Sequence, residues 1–442
     1  MSTQPKRYAI VGVGGRAEMF TKPLCKEFKE GNQLVALCDI NPARLKLYQD
    51  QIADDYDYGQ VPTYLAADFD RMIDETKPDC VIVTTVDAYH DEYIIRAMER
   101  GCDAITEKPM TTDDKKCRAI LQTIKKTGKN LRVTFNYRWG PGPTRVKQLI
   151  KEGVIGEILH VDMEYLLNTS HGADYFRRWH REKDKSGGLM VHKSTHHFDL
   201  VNWLIDAAPE TVFGFGKLGF YGRANAERRG ESVNYDRYTG SDYGDDPFAL
   251  DLSKNDRLTK LYLDPEKHDN YQRDRNVFGD NITAEDSMSV LVKYRTGVHL
   301  NYSLNAYLPR EGFHIAFNGS KGRLEYTESH GSHIIGADGD ADAENAKWQP
   351  KIVVHPMFGQ SYEVEIPTAT GGHGGGDVRL QEQIFGMNPP AEEWDRNAGE
   401  QQGAASILIG IAANHCFETG QPQQIAELCP ELPTAAKLSD LK

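Results

Sequence analysis

A glycine turn near the N-terminus constrains what this chain can fold into more than any other feature of its sequence. The segment Gly12-Val13-Gly14-Gly15-Arg16-Ala17 fits the pattern G-x-G-x-x-A, after a strand predicted over 7–13 and before a helix predicted over 17–29. Gly12 permits the tight turn, Gly14 lets the backbone approach a pyrophosphate at the positive end of the helix, and Ala17 allows close helix–strand packing. The motif predicts a dinucleotide site, with Gly15 and Arg16 beside it; the alternative is a glycine-rich turn with a structural role alone.

Strand and helix signals alternate through about the first 130 residues. Strands are predicted over 34–39, 79–85, 103–106 and 131–136, and helices over 42–52, 90–100 and 113–127. Strands separated by single helices indicate βαβ units and a parallel sheet. Because 442 residues exceed what one hydrophobic core usually serves, we expect two domains, with residues 1–136 as an α/β dinucleotide-binding Rossmann domain.

The pattern changes after residue 137. Helical spacing at 144–151 and 189–204 is followed, from about residue 288, by alternating segments that include SMSVLVKY, VHLNYSLNAY and HIAFNGS. Such alternation predicts an antiparallel sheet in an α+β domain over 137–442, which we expect to bind substrate and to oligomerise. Residues 220–282 are a polar insertion rich in Tyr, Asp and Arg, and we expect a long loop over this second domain.

An acidic residue ends the second predicted strand. Asp39 lies 22 residues after Ala17, where a carboxylate accepts hydrogen bonds from ribose hydroxyls and repels a 2′-phosphate. We therefore expect NAD as the cofactor and NADP as the less favoured one, although the nearby Arg44 weakens that preference.

A lysine follows the strand predicted over 103–106, in the sequence Glu107-Lys108-Pro109. Side chains beyond the carboxyl ends of parallel strands point into the crevice where ligands bind. Lys108 could donate a hydrogen bond to a substrate hydroxyl or help to remove its proton. The alternative is a surface lysine paired with Glu107.

Together these motifs resemble the Gfo/Idh/MocA family of oxidoreductases, the relatives of glucose–fructose oxidoreductase and inositol dehydrogenase. The resemblance rests on the glycine turn, Asp39, VIVTT with His90 after it, Glu107-Lys108-Pro109, Asn136-Tyr137-Arg138, and Gly187-Gly188 before a helix with His196 and Asp199. It implies a Rossmann domain, a second domain with a large open, mainly antiparallel sheet, a nicotinamide cofactor, and sugars or cyclitols as usual substrates.

The resemblance also implies roles for single residues. Lys108 would be the catalytic lysine and His196 the acid/base histidine. The residues expected along the cofactor are Thr85, His90, Glu107 and Lys108, with Trp179 near the nicotinamide end. Asn136 and Arg138 are expected to contact the substrate.

One segment departs from the family pattern. Family dehydrogenases often carry an aspartate four residues before the histidine, and here that position is His192. His192, His196 and Asp199 lie at i, i+4 and i+7, hence on one helical face, so His192 would be catalytic or contact substrate, bind a metal with His196, or merely line the pocket. A catalytic metal needs a third ligand, and we expect no metal site. Lys193 could reach the edge of the substrate site.

A second departure is the glycine-rich segment 371–377, which contains His373 and Asp377. Glycine runs let the backbone pass close to a ligand, and these two side chains are expected to face the substrate. The segment also resembles family members that act as NAD-dependent glycosidases. The alternative is a flexible linker before a helix predicted over 378–385.

Three functions follow as hypotheses. The first is NAD-dependent oxidation of a ring carbinol, such as C3 of a pyranoside, in a sugar, glycoside or cyclitol. The second is glycoside hydrolysis through transient oxidation, elimination, hydration and re-reduction. The third is a dinucleotide-binding module without catalysis, although the presence of both Lys108 and His196 disfavours it.

The composition disfavours some classes of binding partner. The net charge of −13 disfavours nucleic acid, and no apolar run approaches the ~20 residues that span a bilayer. The seven cysteines contain no C-x-x-C and no secretory signal is recognisable, so we expect a cytoplasmic protein with a small carbohydrate substrate. By resemblance we expect a homodimer or homotetramer formed through the sheet of the second domain.

Overall fold

Six parallel strands make the first sheet of the chain. In this computed structural model, which describes residues 4–231, 234–331, 349–368 and 375–441, they are β1 (Lys6–Val11), β2 (Asn32–Asp39), β3 (Thr63–Leu65), β4 (Cys80–Val83), β5 (Asp103–Thr106) and β6 (Leu131–Val133). Their order is β3-β2-β1-β4-β5-β6. The predicted parallel sheet is confirmed, and its order reverses between β1 and β4, which is where open α/β sheets bind ligands.

Helices on both faces bury this sheet, so all four residues of β4 are buried. They are α1 (Glu18–Cys25), α2 (Pro42–Asp54), α3 (Phe69–Thr76), α4 (His90–Glu99) and α5 (Asp114–Thr127). The Asn41 side chain caps α2, and α5 ends at Gly128, whose φ is 66°. The first helix is shorter than expected, because it ends at Cys25 and not near residue 29, and residues Gly15–Ala17 form a 3-10 turn before it.

Nine strands make the second sheet. They are β7 (Ile158–Asn168), β8 (Pro209–Lys217), β9 (Ser287–Tyr294), β10 (His299–Leu308), β11 (Glu311–Gly319), β12 (Gly322–Gly331), β13 (Gln349–Pro356), β14 (Tyr362–Val364) and β15 (Gln423–Gln424). The order is β14-β13-β12-β11-β7-β10-β9-β8-β15, and among the strands in the described residues only the β7–β10 pair is parallel. The predicted, mainly antiparallel sheet is confirmed.

One face of this sheet is covered by helices and the other is open. The helices outside the first sheet are α6 (Pro141–Lys151), α7 (His171–Arg177), α8 (Lys183–Ser186), α9 (Gly188–His192), α10 (Thr195–Ile205), α11 (Arg223–Arg228), α12 (Asp256–Leu258), α13 (Glu266–Asp269), α14 (Gly376–Phe385), α15 (Glu400–Thr419) and α16 (Ile425–Leu428). Helix α15 is buried along most of its length and packs on β8 and α10. Within the described residues no helix is long and apolar enough to cross a bilayer.

The helix predicted over 189–204 is two helices, which corrects the argument that His192, His196 and Asp199 share one face. The N–H groups of Lys193 and Ser194 both donate to the carbonyl of Leu189, and the Ser194 hydroxyl donates to the same oxygen. A serine that binds the preceding turn competes with regular helix bonding. His192 therefore ends α9, whereas His196 lies in α10.

The insertion over 220–282 packs on both halves of the molecule, not on the second alone as expected. Tyr221 and Phe278 belong to the large core cluster that includes the second sheet, whereas Leu261 belongs to the smaller cluster around the other face of β1 and β2. A π-helical turn, Thr259–Leu263, and α13 place the middle of the insertion beside the carboxyl end of β2.

Candidate active site

A cavity of about 990 Å³ lies beyond the carboxyl ends of the parallel strands, between the two sheets. Its volume is within the range of small-molecule sites. Thirteen of the residues expected at a site line it: Gly12, Gly14, Gly15, Arg16, Asp39, Thr85, His90, Glu107, Lys108, Trp179, His192, Lys193 and His196. The cavity thus joins the glycine turn to the His-rich segment in one space.

The glycine turn has the shape that a dinucleotide requires. At Gly12, with φ of 89°, an added Cβ would lie 2.6 Å from the backbone nitrogen of Thr85. At Gly14 an added Cβ would meet no atom within 4 Å, because this position faces the open cavity. The backbone at Gly14 is therefore accessible to a pyrophosphate, whereas Gly12 is needed by the fold. Ala17 is fully buried against the core, as close helix–strand packing requires.

Asp39 is buried at the end of β2. Its carboxylate accepts hydrogen bonds from the N–H of Val13 at 2.7 Å and from the N–H of Asn41 at 2.8 Å. Burial raises the pKa of Asp39, and Arg44 together with these N–H groups acts in the opposite direction. The residue is therefore fixed beside the glycine turn, where ribose hydroxyls would reach it.

Glu107 and Arg16 form the middle of the cavity floor. Arg16 Nε lies 3.1 Å from Glu107 Oε1, and the Thr134 hydroxyl donates to the same carboxylate at 2.9 Å. Asp377 lies 3.9 Å from Arg16 and accepts from the Asn136 amide at 2.7 Å. Neither Asn136 nor Asp377, both expected to contact the substrate, lines the cavity. His373 lies outside the described residues.

Lys108 and His192 meet at the boundary between the two sheets. Lys108 Nζ donates to the carbonyl oxygen of His192 at 3.0 Å, and His192 Nδ1 lies 2.5 Å from Asp87 Oδ2. Burial lowers the pKa of Lys108, although Asp87 and Glu107 oppose this shift. Burial also lowers the pKa of His192 and raises that of Asp87. Burial therefore favours the neutral form of the imidazole, whose Nδ1 is bonded to Asp87.

His196 also lines the cavity. Its ring stacks on Tyr137, with centroids 4.4 Å apart and an interplanar angle of 10°. Neighbouring Lys193 is buried with Nζ 4.7 Å from the centroid of the Tyr165 ring. Burial lowers the pKa of Lys193 to about 8, against the effect of Glu311.

Two further residues expected at the cofactor support the cavity wall. Both ring nitrogens of His90 are occupied, with Nδ1 2.8 Å from the carbonyl of Pro109 and Nε2 3.2 Å from the carbonyl of Thr85. His90 therefore joins the segments that follow β4 and β5. Trp179 stacks on His180, with ring centroids 3.6 Å apart.

Arg138 is not at the cavity, which corrects the expectation that it contacts substrate. Its guanidinium makes two hydrogen bonds to Asp199, at 2.8 and 2.5 Å, and only 1% of the residue is exposed. Both members of this ion pair are buried where α10, which carries Asp199, packs against the 3-10 turn Asn136–Trp139. Of residues 136–138, Tyr137 thus contributes to the active site, because its ring stacks on His196.

Several cavity residues were not anticipated from the sequence. They are Asp87, His171, Tyr175, Arg178 and His180 around the His-rich segment, and Tyr262, Asp269, Tyr271, Gln272 and Arg275 from the insertion. Asp87 follows β4 and could have been found by its position after a parallel strand. The insertion residues follow no such pattern. In the described part of the chain, no group of three or more His, Cys, Asp or Glu side chains could hold a metal ion.

Two protein-family models match the chain. The oxidoreductase family, NAD-binding Rossmann fold, matches residues 6–135, and the oxidoreductase family, C-terminal alpha/beta domain, matches residues 147–425. YteT of Bacillus subtilis, named as an oxidoreductase, is 34% identical over 415 residues, covering 92% of this chain and 94% of YteT.

Other relatives differ in their named activities. The D-glucoside 3-dehydrogenase of Escherichia coli is 31% identical over 46% of this chain and 55% of its own length. A glycosyl hydrolase family 109 protein of Shewanella baltica is 28% identical over 92% of this chain and 82% of its own. An Agrobacterium radiobacter oxidoreductase solved with NAD+, L-tartaric acid and magnesium has a TM-score of 0.62 at 16% identity, covering 96% of this chain and 100% of that one. That last likeness concerns the fold alone.

Proposed function

The chain belongs to the Gfo/Idh/MocA family of oxidoreductases, and from this premise we propose that it oxidises a ring carbinol of a sugar, glycoside or cyclitol with NAD. C3 of a pyranoside is the first carbon to test. The observation that carries the proposal is that the glycine turn, Lys108, His192 and His196 line one cavity. The named activity of the D-glucoside 3-dehydrogenase relative supports the same substrate class.

The residues of the chain divide the chemistry between them. Bound NAD supplies the hydride acceptor. Lys108 donates a hydrogen bond to the substrate oxygen and stabilises the negative charge that develops there, while His196 accepts the hydroxyl proton. His192, oriented by Asp87, contacts a neighbouring hydroxyl. Trp179, which stacks on the buried His180, offers a flat aromatic ring against which a sugar face can pack.

A second function is favoured by one observation, the likeness to a glycosyl hydrolase family 109 protein along 92% of this chain. In that reaction a 3-keto sugar acidifies the C2–H bond, the aglycone is eliminated, water adds to the double bond, and the ketone is reduced again. Glycoside is hydrolysed with no net change in the cofactor. Lys108 and His196 would serve both reactions, because the first step is shared.

A panel of aryl glycosides and inositols, read at once for NADH at 340 nm and for free aglycone, tests both functions. NADH accumulation supports the dehydrogenase. Aglycone release without NADH, with deuterium uptake at C2, supports the glycosidase. Lys108→Ala and His196→Ala should each lower kcat by about 100-fold or more, whereas Lys115→Ala, on an exposed helix face, should not. A protein that binds NADH but turns over no member of the panel would contradict both functions.

We also propose that the open face of the second sheet joins copies of the chain into a homodimer or homotetramer. Phe215 on β8 and Leu291 on β9 are 68% and 54% exposed on that face. Soluble monomers rarely expose a contiguous apolar patch of this kind. Phe215→Glu with Leu291→Glu should give a monomer by light scattering. Phe358→Glu, at the far edge of the sheet, should leave the mass unchanged, and a monomeric wild type would contradict the proposal.

A further inference from the structure

The insertion supplies part of the wall around the dinucleotide end of the cavity. Leu261 is buried in the core of the first sheet, and the neighbouring Tyr262 hydroxyl accepts a hydrogen bond from the N–H of Gly15 at 3.3 Å. Tyr262 and Asp269 both line the cavity, together with Asp39 and Arg44. Residues from the middle of the second domain therefore reach the segment where the adenosine ribose is recognised.

Asn41 holds α13 at this position. Its Oδ1 accepts from the N–H groups of Ala43 and Arg44 at 3.0 and 3.3 Å, as the cap of α2. Its Nδ2 donates to the carbonyl of Pro265 at 2.9 Å and to Asp269 Oδ2 at 3.0 Å. Both ends of the amide are thus engaged, so the cap of α2 also fixes the position of the Asp269 carboxylate.

Arg44 is shared between two carboxylates. Its NH2 group lies 3.4 Å from Asp39 Oδ1 and donates to Asp269 Oδ2 in a close ion pair. The side chains of Arg44 and Asp269 are 8% and 5% exposed, so solvent screens the pair little. The three residues together carry one net negative charge.

We propose that Asp269 is a determinant of the preference for NAD over NADP. An arginine after β2 ordinarily accommodates the 2′-phosphate of NADP, but here Asp269 already occupies Arg44 and adds a negative charge beside the ribose site. A 2′-phosphate would have to displace Asp269 from Arg44 and approach two carboxylates. The inference rests on dinucleotide binding and is independent of the substrate.

Binding of NADH and NADPH, measured by fluorescence titration at fixed ionic strength, tests the proposal without turnover. Asp269→Asn removes the charge and keeps the size and a hydrogen-bonding oxygen. It should tighten NADPH binding about 10-fold, because one negative charge that repels the 2′-phosphate is lost. The Kd of NADH, which has no 2′-phosphate, should change less than about threefold. Asp264→Asn, an exposed residue of the same insertion, makes the same change in net charge and should alter neither Kd.

A double-mutant cycle separates selectivity from a tethering role. Arg44→Gln should weaken NADPH binding more in the Asp269→Asn background than in the wild type, because only there is Arg44 released for the phosphate. Equal effects of Asp269→Asn on NADH and NADPH, or no effect on either, would overturn the proposal. A wild type that binds neither dinucleotide would instead contradict the cofactor site itself. Thermal unfolding of each variant without ligand identifies any that fails to fold, and Asp269→Ser then replaces Asp269→Asn.

Discussion

His192 Nδ1 lies 2.5 Å from Asp87 Oδ2, so a histidine of the second domain is oriented by an aspartate that follows β4 of the first. The two residues are 105 positions apart in the sequence. A carboxylate bonded to one ring nitrogen fixes the orientation of an imidazole and the nitrogen that it presents. Family dehydrogenases often carry an aspartate four residues before the catalytic histidine. In this chain that position is His192, and the carboxylate comes from Asp87, which binds its ring.

Asp87→Asn should lower kcat by about 10-fold to 100-fold, because the amide keeps the size of the side chain but not its ionisable group. The Kd of NADH should stay within about threefold of the wild-type value. Steady-state kinetics and NADH titration measure the two quantities. Asp74→Asn, at an exposed site on α3, is the matched control, and an unchanged pH profile of kcat in Asp87→Asn would contradict a positioning role.

Gly12→Ala and Gly14→Ala should have opposite consequences. At Gly12 the new Cβ would collide with the backbone at Thr85, in a backbone conformation that L residues rarely adopt, so the free energy of unfolding should fall by about 1–3 kcal/mol. At Gly14 the Cβ would project into the open cavity, so stability should be kept and the Kd of NADH should rise. Denaturant unfolding and NADH titration distinguish the two; similar losses of stability in both variants would contradict this assignment.

Arg138→Met should destabilise the protein by about 3 kcal/mol, because it leaves the buried Asp199 without its partner. Arg138→Met combined with Asp199→Leu should recover most of that loss. Urea unfolding of the two variants measures the difference. A normal free energy of unfolding in Arg138→Met, with a raised KM for substrate, would restore the discarded role of Arg138 as a substrate contact.

Lys193→Met should stabilise the protein at pH 7. Burial lowers the pKa of Lys193 to about 8, below its unfolded value of about 10.4, so the folded state pays a penalty for the charged lysine below pH 8. That penalty disappears as the pH rises from about 8 to 10.4, because the unfolded chain then binds more protons than the folded one. The gain in unfolding free energy, about 3 kcal/mol at pH 7, should shrink toward pH 10 in urea titrations, and a gain that grows with pH would contradict it.

Local motifs predict which residues after the parallel strands line the cavity. Gly14, Asp39 and Lys108 were identified because each follows a strand end, and the geometry of a parallel sheet brings strand ends together. Residues joined only by tertiary contacts were placed wrongly or missed. The family resemblance places Arg138 at the substrate, and nothing in the sequence shows its buried partner Asp199.

The break between α9 and α10 shows the same limit at the level of secondary structure. Helical periodicity continues through residues 189–204, yet Ser194 bonds back to Leu189 and interrupts the helix. The position of Asp269 is likewise not predictable from the sequence. The polar composition of the insertion indicates that the insertion forms no core of its own, but it does not indicate which surface the insertion covers.

The hydrogen bond between Gly15 and Tyr262 spans 247 positions of the chain, and this sets a limit on how the protein can be taken apart. A chimera that joins residues 1–136 to the catalytic half of another enzyme would carry the glycine turn and Asp39. It would leave behind Tyr262, Asp269 and the anchoring contact at Asn41, so the transplanted fragment would present its nucleotide groove with one side missing.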